Sequence, residues 1–279
     1  MPLDGKFYQL VESLFHPGMG TEHVGPLLHS LVRMTRPRNI LEVGMGYTSP
    51  FLATALHDNL AEISFDAAIL DKPESSRSDI EESRLDVLNP AYYRGDYKPF
   101  VHVIDDFTLD GSSASQVLNI IQNLGLDHLV KVHEGDFRGM SKVLDPSSLP
   151  LDLVWFDCGG PQEYQDFITE YWPLINTNYG VLLLHYTYWT LQENDDGSPA
   201  LIGSGPIVNE FKRQQVMHGI YANFEVLSLV EPHKTRQGSV TMIRKLAPAG
   251  QIRPSPYDQE IKALHGDQTD PFPELQDFV

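Results

Sequence analysis

The chain has 279 residues, and its 38 acidic side chains outnumber its 20 lysines and arginines to give a net charge of −18. Duplex nucleic acid and anionic membrane surfaces are therefore not expected as partners, because both are bound through basic footprints. Hydrophobic residues make up 41% of the chain, which is enough to bury a sizeable core and excludes wholesale disorder.

Seven β-rich runs alternate with stretches of helical periodicity along the chain. The runs are 39–44, 100–105, 129–134, 151–157, 180–186, 221–230 and 239–245. Apolar residues recur at helical spacing in 23–34, 115–124 and 163–175. Several β-rich runs are almost continuously apolar, as in parallel strands that are covered on both faces. The pattern predicts a doubly wound α/β fold, in which a mostly parallel seven-stranded sheet has an antiparallel last strand and helices on both faces.

Two segments interrupt this alternation. Residues 71–90 hold six acids, three bases and four serines, and they belong to an insertion over 71–99 that we expect to be a mobile surface excursion or a lid. Residues 247–279 contain five prolines and form a tail that either wraps the domain or stays disordered. The predicted domain is therefore 1–246, with an N-terminal helical cover over 1–37.

Cysteine content and hydropathy indicate the cellular compartment in which the protein is expected. The single cysteine, Cys158, excludes an intramolecular disulfide and a multi-cysteine zinc site. No apolar run approaches the roughly 18 residues that a bilayer span needs. Asp4 and Glu12 stand where a secretory signal would have a basic start and an apolar middle. We therefore expect a cytoplasmic protein, and a homodimer is compatible with the sequence.

The most informative segment is Glu42-Val43-Gly44-Met45-Gly46-Tyr47-Thr48, where a buried strand runs into a Gly-x-Gly turn before an apolar helix. Glycines are needed where the backbone must turn tightly and approach a ligand. A carboxylate such as Glu42 is costly to bury unless it meets a cation or several donors. Ser49 stands where the dinucleotide fingerprint has its third glycine, which disfavours a nicotinamide-dependent enzyme.

This turn resembles that of the class I S-adenosylmethionine-dependent methyltransferases, of the small-molecule type. Further segments resemble the family in the expected order: 101–106, whose acid contacts ribose; 132–137, whose Gly-Asp-x turn flanks adenine; 151–157; and 163–186. The resemblance covers about 22–245. It implies an S-adenosylmethionine site formed by Glu42, Gly44, Gly46, Tyr47, Thr48, Asp105, Asp106, Asp136, Phe137 and Asp157.

The ribose contact has an alternative. The family's second strand follows the glycine turn closely, whereas the long insertion separates the two segments here. A displaced strand at 61–70 would make Asp66 or Asp71 the ribose contact in place of Asp105 or Asp106.

The same resemblance implies catalytic and substrate residues. His185 ends the fifth β-rich run and is the expected general base, for which a core or capping histidine is an equally good interpretation. Asp157 would orient that base, contact the cofactor's amine or bind substrate. Substrate contacts are expected from His16 and His23 in the N-terminal cover, although a surface loop and a helix cap are the simpler interpretation of these two residues. Further substrate contacts are expected from an aromatic wall after His185. That wall comprises Tyr186, Tyr188 and Trp189, for which ordinary packing is an equally good interpretation.

No metal site is predicted. The metal-dependent catechol-type relatives use an acid on the fourth strand and an Asp-Asn pair after the fifth, where this chain has His185 and Tyr186. A hard cation such as Mg²⁺ prefers oxygen ligands, so the change disfavours it. A transition-metal site at Asp157 and His185 is the less favoured alternative.

The expected function is methyl transfer from S-adenosylmethionine to an oxygen or nitrogen of a small molecule or short peptide, in specialised metabolism such as natural product biosynthesis. Holding nucleophile, methyl carbon and sulfur in line would contribute about 7–11 kcal/mol to lowering the barrier. The alternatives are a nicotinamide-dependent Rossmann oxidoreductase and a catalytically inactive methyltransferase-like binding module.

Overall fold

A seven-stranded sheet organises the computed structural model, which describes residues 3–90, 92–108, 112–159, 161–188, 190–193, 199–202, 205–218, 222–234 and 237–246. The predicted tail at 247–279 and Trp189 lie outside the described residues. None of the helices in the described ranges combines the length and the apolar character that a membrane span needs.

The sheet confirms the predicted topology. The strands are β1 Asn39–Val43, β2 Phe100–Asp105, β3 Val130–Glu134, β4 Leu153–Phe156, β5 Val181–His185, β6 Thr190–Glu193, β7 Pro199–Ile202, β8 Phe224–Val230 and β9 Ser239–Lys245. The order in the main sheet is β3-β2-β1-β4-β5-β9-β8, with the first five strands parallel and β9 antiparallel to both neighbours. The strands β6 and β7 form a separate antiparallel pair that the sequence did not indicate.

Helices cover both faces of the sheet. They are α1 Gly5–Val11, α2 Val24–Thr35, α3 Ser49–Leu70, α4 Asp79–Leu85, α5 Ala114–Asn123, α6 Pro161–Tyr171 and α7 Gly205–His218. One face of β2 and β4, with Val103 and Trp155, packs against α2, α3 and α5. The other face, with Ile104 and Phe156, packs against α6 and α7. Because successive strand residues point to opposite faces, both sets must be apolar, which explains the continuous apolar runs in the sequence.

The alternative strand at 61–70 is not formed, because these residues belong to the second half of α3. Glu62 and Asp66 are four residues apart and share one helix face, where Arg84 reaches both: its Nη2 lies 3.0 Å from Glu62 Oε1 and its Nε 2.5 Å from Asp66 Oδ1. Asp66 is completely buried in this cluster, and Asp71 only ends the helix. Their positions argue against either residue as the ribose contact.

The insertion lies at the other end of the sheet from the glycine turn. The 22 residues of α3 begin at the turn and extend about 33 Å, so the segment that follows is carried away from it. Its last part returns to the amino end of β1, where Tyr97 Oη donates a hydrogen bond of 2.9 Å to the Pro37 carbonyl. This position favours a surface excursion over a lid on the glycine turn.

Candidate active site

The two glycines of the turn after β1 meet different surroundings. Gly44 has φ +91°, and a Cβ there would lie 3.1 Å from the carbonyl oxygen of Asp157. Only glycine fits this position without strain. A Cβ at Gly46 would meet no heavy atom of the described part of the chain within 4 Å, apart from its chain neighbours. The first glycine is thus required by the fold, whereas the second leaves open space beside the turn.

Glu42 is fully buried just before the turn. Its Oε1 accepts a hydrogen bond of 2.6 Å from Thr48 Oγ1, and its Oε2 has no partner in the described residues. Burial raises the pKa of Glu42 to about 8, although the nearby Thr48 and Ser49 hydroxyls lower it, and the Asp157 and Asp105 carboxylates add to the increase. An unsatisfied buried carboxyl of this kind can accept a cation or a further donor.

Two acids lie at the end of β2. Asp105 Oδ2 accepts a hydrogen bond of 2.7 Å from the Met45 amide, so this carboxylate holds the glycine turn in place. Burial raises the pKa of Asp105. Asp106 Oδ1 accepts hydrogen bonds from the amide and the hydroxyl of Thr108, at 3.1 and 2.6 Å.

Two cavities meet at Gly44, at the carboxyl ends of the parallel strands. One has a volume of about 360 Å³ and the other about 230 Å³, and Gly44 lines both. The carboxyl edge is where open α/β sheets bind their ligands. The larger of the two is bordered by Asp105, Asp106, Asp136, Phe137, Cys158 and Glu163. The smaller is bordered by His16, Met19, Thr21, Tyr47, Thr48 and Asp157.

The walls of the larger cavity are fixed by local contacts. Phe137 is buried, and Asp136 forms an ion pair of 3.0 Å with Arg138, whose Nε also lies 2.8 Å from Asp166. Burial, followed by the charge of Asp157, raises the pKa of the Cys158 thiol to about 12. This thiol stays protonated at neutral pH, so it is not a nucleophile.

His185 and Asp157 form a dyad at the ends of β5 and β4. His185 Nδ1 lies 2.8 Å from Asp157 Oδ1, and its Nε2 lies 3.0 Å from the backbone carbonyl of Gln237. Both partners are acceptors, which favours an imidazolium that donates from both nitrogens. Burial lowers the pKa of His185. The charge of Asp157 and the hydrogen bonds to Asp157 and to the Gln237 carbonyl outweigh this effect, so the pKa is raised overall.

This geometry argues against the expected role of His185 as general base. Its side chain is 2% exposed, and both ring nitrogens already have partners, so neither is free to take a proton from a substrate that accepts a methyl group. Instead, His185 holds the Asp157 carboxylate and the loop before β9 together. Asp157 remains 33% exposed and borders the smaller cavity.

A stability measurement tests this dyad. Because its pKa is raised above 6.5 in the folded protein, His185 stabilises the fold fully below that pH, and the contribution is lost as pH rises through the folded-state pKa. We expect His185→Gln to lower the free energy of unfolding by about 1.5–3 kcal/mol at pH 6 and by much less at pH 9. Urea denaturation at the two pH values measures this. The exposed His128, changed to Gln, is the control, and an equal loss at both pH values would contradict the charged dyad.

The other predicted substrate residues are only partly brought together. His16 borders the smaller cavity, whereas His23 contacts Glu231 outside it. The Tyr186 amide donates a hydrogen bond of 2.7 Å to the Ser239 carbonyl. Neither Tyr186 nor Tyr188, the two described tyrosines of the predicted wall, lines either cavity. Tyr188 instead lies against Lys212, whose Nζ is 4.8 Å from the ring centre.

Sequence reasoning missed two supports of the site. Ser113 Oγ donates a hydrogen bond of 3.2 Å to the Met45 carbonyl and pins the glycine turn from the start of α5. Gln237 supplies the carbonyl that His185 contacts. Neither residue belongs to a local motif, so no signal in the sequence indicated it.

No family model and no curated protein matches the sequence. Solved structures do match. An O-methyltransferase of Streptomyces achromogenes that is involved in tomaymycin synthesis, in complex with S-adenosylmethionine, is 19% identical and has a TM-score of 0.53, with 87% of this chain and 88% of that chain covered. An O-methyltransferase of Bacillus cereus in complex with S-adenosylhomocysteine is 16% identical, again with a TM-score of 0.53, and the match covers 88% and 93% of the two chains. This chain has the class I methyltransferase fold.

Within the class I methyltransferase fold, this chain places the glycine turn, both acids of β2, Asp136 and Asp157 along one edge of the sheet. At identities below 20% the likeness to these structures concerns the fold.

Proposed function

We propose that this protein is an S-adenosylmethionine-dependent methyltransferase that methylates an oxygen atom of a small molecule in specialised metabolism. The observation that carries the proposal is the pair of cavities that share Gly44 and are flanked by the unsatisfied Glu42 carboxyl. The similar solved structures support it, because both are O-methyltransferases and the Streptomyces achromogenes protein is involved in tomaymycin synthesis.

The residues present fit this cofactor. Its ammonium and sulfonium groups are cationic, and Glu42, Asp105 and Asp157 gather carboxylates at the turn. The Asp105 and Asp106 carboxylates can accept ribose hydroxyls in the larger cavity, where Phe137 and Asp136 would flank the base. The open space beside Gly46 allows the backbone to approach a ligand closely.

S-adenosylmethionine, when bound, supplies the methyl group on an activated sulfonium. The chain's own part is to position the acceptor, exclude water and manage one proton. Leu14 and Met19 border the smaller cavity and keep part of its wall apolar. His16 is exposed at the same cavity and has no side-chain partner in the described residues. We therefore assign it the role of general base, which takes the proton of the substrate hydroxyl that is methylated. Asp157, held by His185, orients that hydroxyl.

Binding and product measurements test the proposal. We expect micromolar binding of S-adenosylmethionine and none of NADH by calorimetry, and a gain of one methyl group by mass spectrometry on small hydroxylated metabolites. Binding of NADH alone would favour the oxidoreductase, because the third glycine of that fingerprint is the only missing part of the turn. Binding of neither would favour the inactive module.

His16→Ala separates the proton role from cofactor binding. We expect kcat to fall by roughly 10²-fold, as for loss of a general base, with the dissociation constant of S-adenosylmethionine unchanged. The exposed His128→Ala serves as the matched control, with unchanged kcat. Full turnover in His16→Ala would remove this residue from the mechanism.

A further inference from the structure

We propose that His23, Glu231 and His233 form a binding site for a divalent transition-metal ion of the Zn²⁺ type. One ligand atom from each residue lies within 4.8 Å of the other two. His23 Nδ1 contacts Glu231 Oε1 directly, and His233 Nε2 lies 3.9 Å from the same oxygen. Two imidazoles and one carboxylate suit Zn²⁺, Co²⁺ or Ni²⁺, whereas Mg²⁺ and Ca²⁺ prefer oxygen ligands.

The side chains can reach the geometry that an ion requires. Metal–ligand bonds of about 2 Å separate neighbouring ligand atoms by about 3–3.5 Å. The two histidines are each 62% exposed, so their rings are free to make this small adjustment. Glu231 is 22% exposed, and its Oε2 is held by Lys234 at 2.7 Å, which directs Oε1 toward the histidines. Three protein ligands leave the remaining positions to water.

The charges around the site favour a cation. Lys234 Nζ also lies 2.8 Å from Glu22 Oε1, so one ammonium is shared between two carboxylates. The immediate surroundings therefore keep a net negative charge. Lys234 acts here as the partner that orients a ligating carboxylate, in the way outer contacts commonly fix metal ligands.

The site joins two segments that both border the candidate active site. His23 ends the stretch that contains Thr21, which lines the smaller cavity, and His233 precedes Gln237, whose carbonyl contacts His185. A Cβ at Gly20 would lie 2.3 Å from Gln237 Cβ, so the two segments already touch. His23 and Glu231 are 208 positions apart in sequence. An ion at this place therefore cross-links the N-terminal cover to the loop between β8 and β9.

Zinc binding to the full chain, measured without any methyl donor, tests the site. By competition with a chromophoric chelator, we expect the wild type to bind one Zn²⁺ with saturable affinity, and Co²⁺ to give a visible absorption band in the same site. His233→Ala and Glu231→Gln should each weaken Zn²⁺ binding at least tenfold. His128→Ala, which removes an exposed histidine elsewhere, should bind as the wild type does.

Hydrogen exchange tests the cross-link itself. Zn²⁺ should slow exchange in residues 16–23 of the wild type and leave it unchanged in His233→Ala, whose exposed side chain can be removed without loss of the fold. Equal Zn²⁺ affinity in wild type and His233→Ala would overturn the site, because the ion would then bind elsewhere among the eleven histidines. Unchanged exchange with Zn²⁺ bound would overturn the cross-link. Neither measurement depends on methyl transfer, so either can fail while the proposed function stands.

Discussion

Gly46→Val should bind S-adenosylmethionine about 100-fold more weakly than the wild type, a loss of about 2.7 kcal/mol, while the protein stays folded. A Cβ at this position meets no heavy atom of the described residues within 4 Å, apart from its chain neighbours, so the added side chain starts in the open space that we assign to the cofactor. Surface substitutions without such contacts usually change the free energy of unfolding by no more than about 0.5 kcal/mol. Calorimetry with S-adenosylmethionine and urea denaturation measure the two quantities.

Gly44→Val is the comparison variant, because it should lose stability as well as cofactor affinity. Its φ of +91° is unfavourable for valine, and the new Cβ would lie 3.1 Å from the Asp157 carbonyl oxygen. We therefore expect Gly44→Val to lose about 1–3 kcal/mol of stability as well as cofactor affinity. If Gly46→Val bound S-adenosylmethionine as tightly as the wild type, the cofactor would not lie against this turn.

The sheet was predictable from sequence because burial on both faces leaves a strong local signal. Strand β4 is apolar at every position and β5 at every position before His185, since alternate residues face different helix layers. The ends of helices leave a weaker signal in the sequence than the strands do. The predicted helix at 163–175 stops at Tyr171 because Pro173 follows, and the chain continues as a 3₁₀ turn.

Features that depend on distant contacts were not predictable. The segment 61–70 contains acids that could end a strand, whereas in the structure it belongs to α3, and Arg84, 18 positions from Asp66, pairs with both Glu62 and Asp66. His185 is a second example, because one of the contacts that argue against its role as general base comes from a distant loop. Its place at the end of β5 was predicted, but the carbonyl of Gln237 that occupies its second nitrogen comes from a loop 52 positions away.

The candidate cofactor site was partly predictable from the sequence. Its acids follow strand ends, so their common edge could be expected from topology. The burial of Glu42 was also expected to require a partner, and the structure supplies one hydrogen bond from Thr48 while leaving Oε2 without a partner in the described residues. How far that burial raises the pKa depends on Asp157 and Asp105, which only the fold brings near.

Glu42→Gln should remove a pH dependence from both stability and cofactor affinity. Glu42 has a pKa of about 8 in the folded protein, against 4.5 for an ordinary glutamate, so the folded state binds the extra proton between these values. The free energy of unfolding of the wild type therefore falls as pH rises through this window, by up to about 1.4 kcal/mol per pH unit from this group. Gln cannot ionise, so the variant lacks this contribution and gains stability relative to the wild type toward pH 8.

Cofactor binding should show the opposite slope. A cation beside Glu42 favours the carboxylate, so binding below pH 8 releases a proton, and wild-type affinity should rise up to tenfold per pH unit from pH 6 to 8 and then level off. Calorimetry in buffers of different ionisation enthalpy counts that proton. The variant should bind weakly with no such slope, whereas Glu134→Gln, an exposed carboxylate at the end of β3, should behave as the wild type does. Equal slopes in wild type and Glu42→Gln would mean that the buried carboxyl never meets the cofactor's charge.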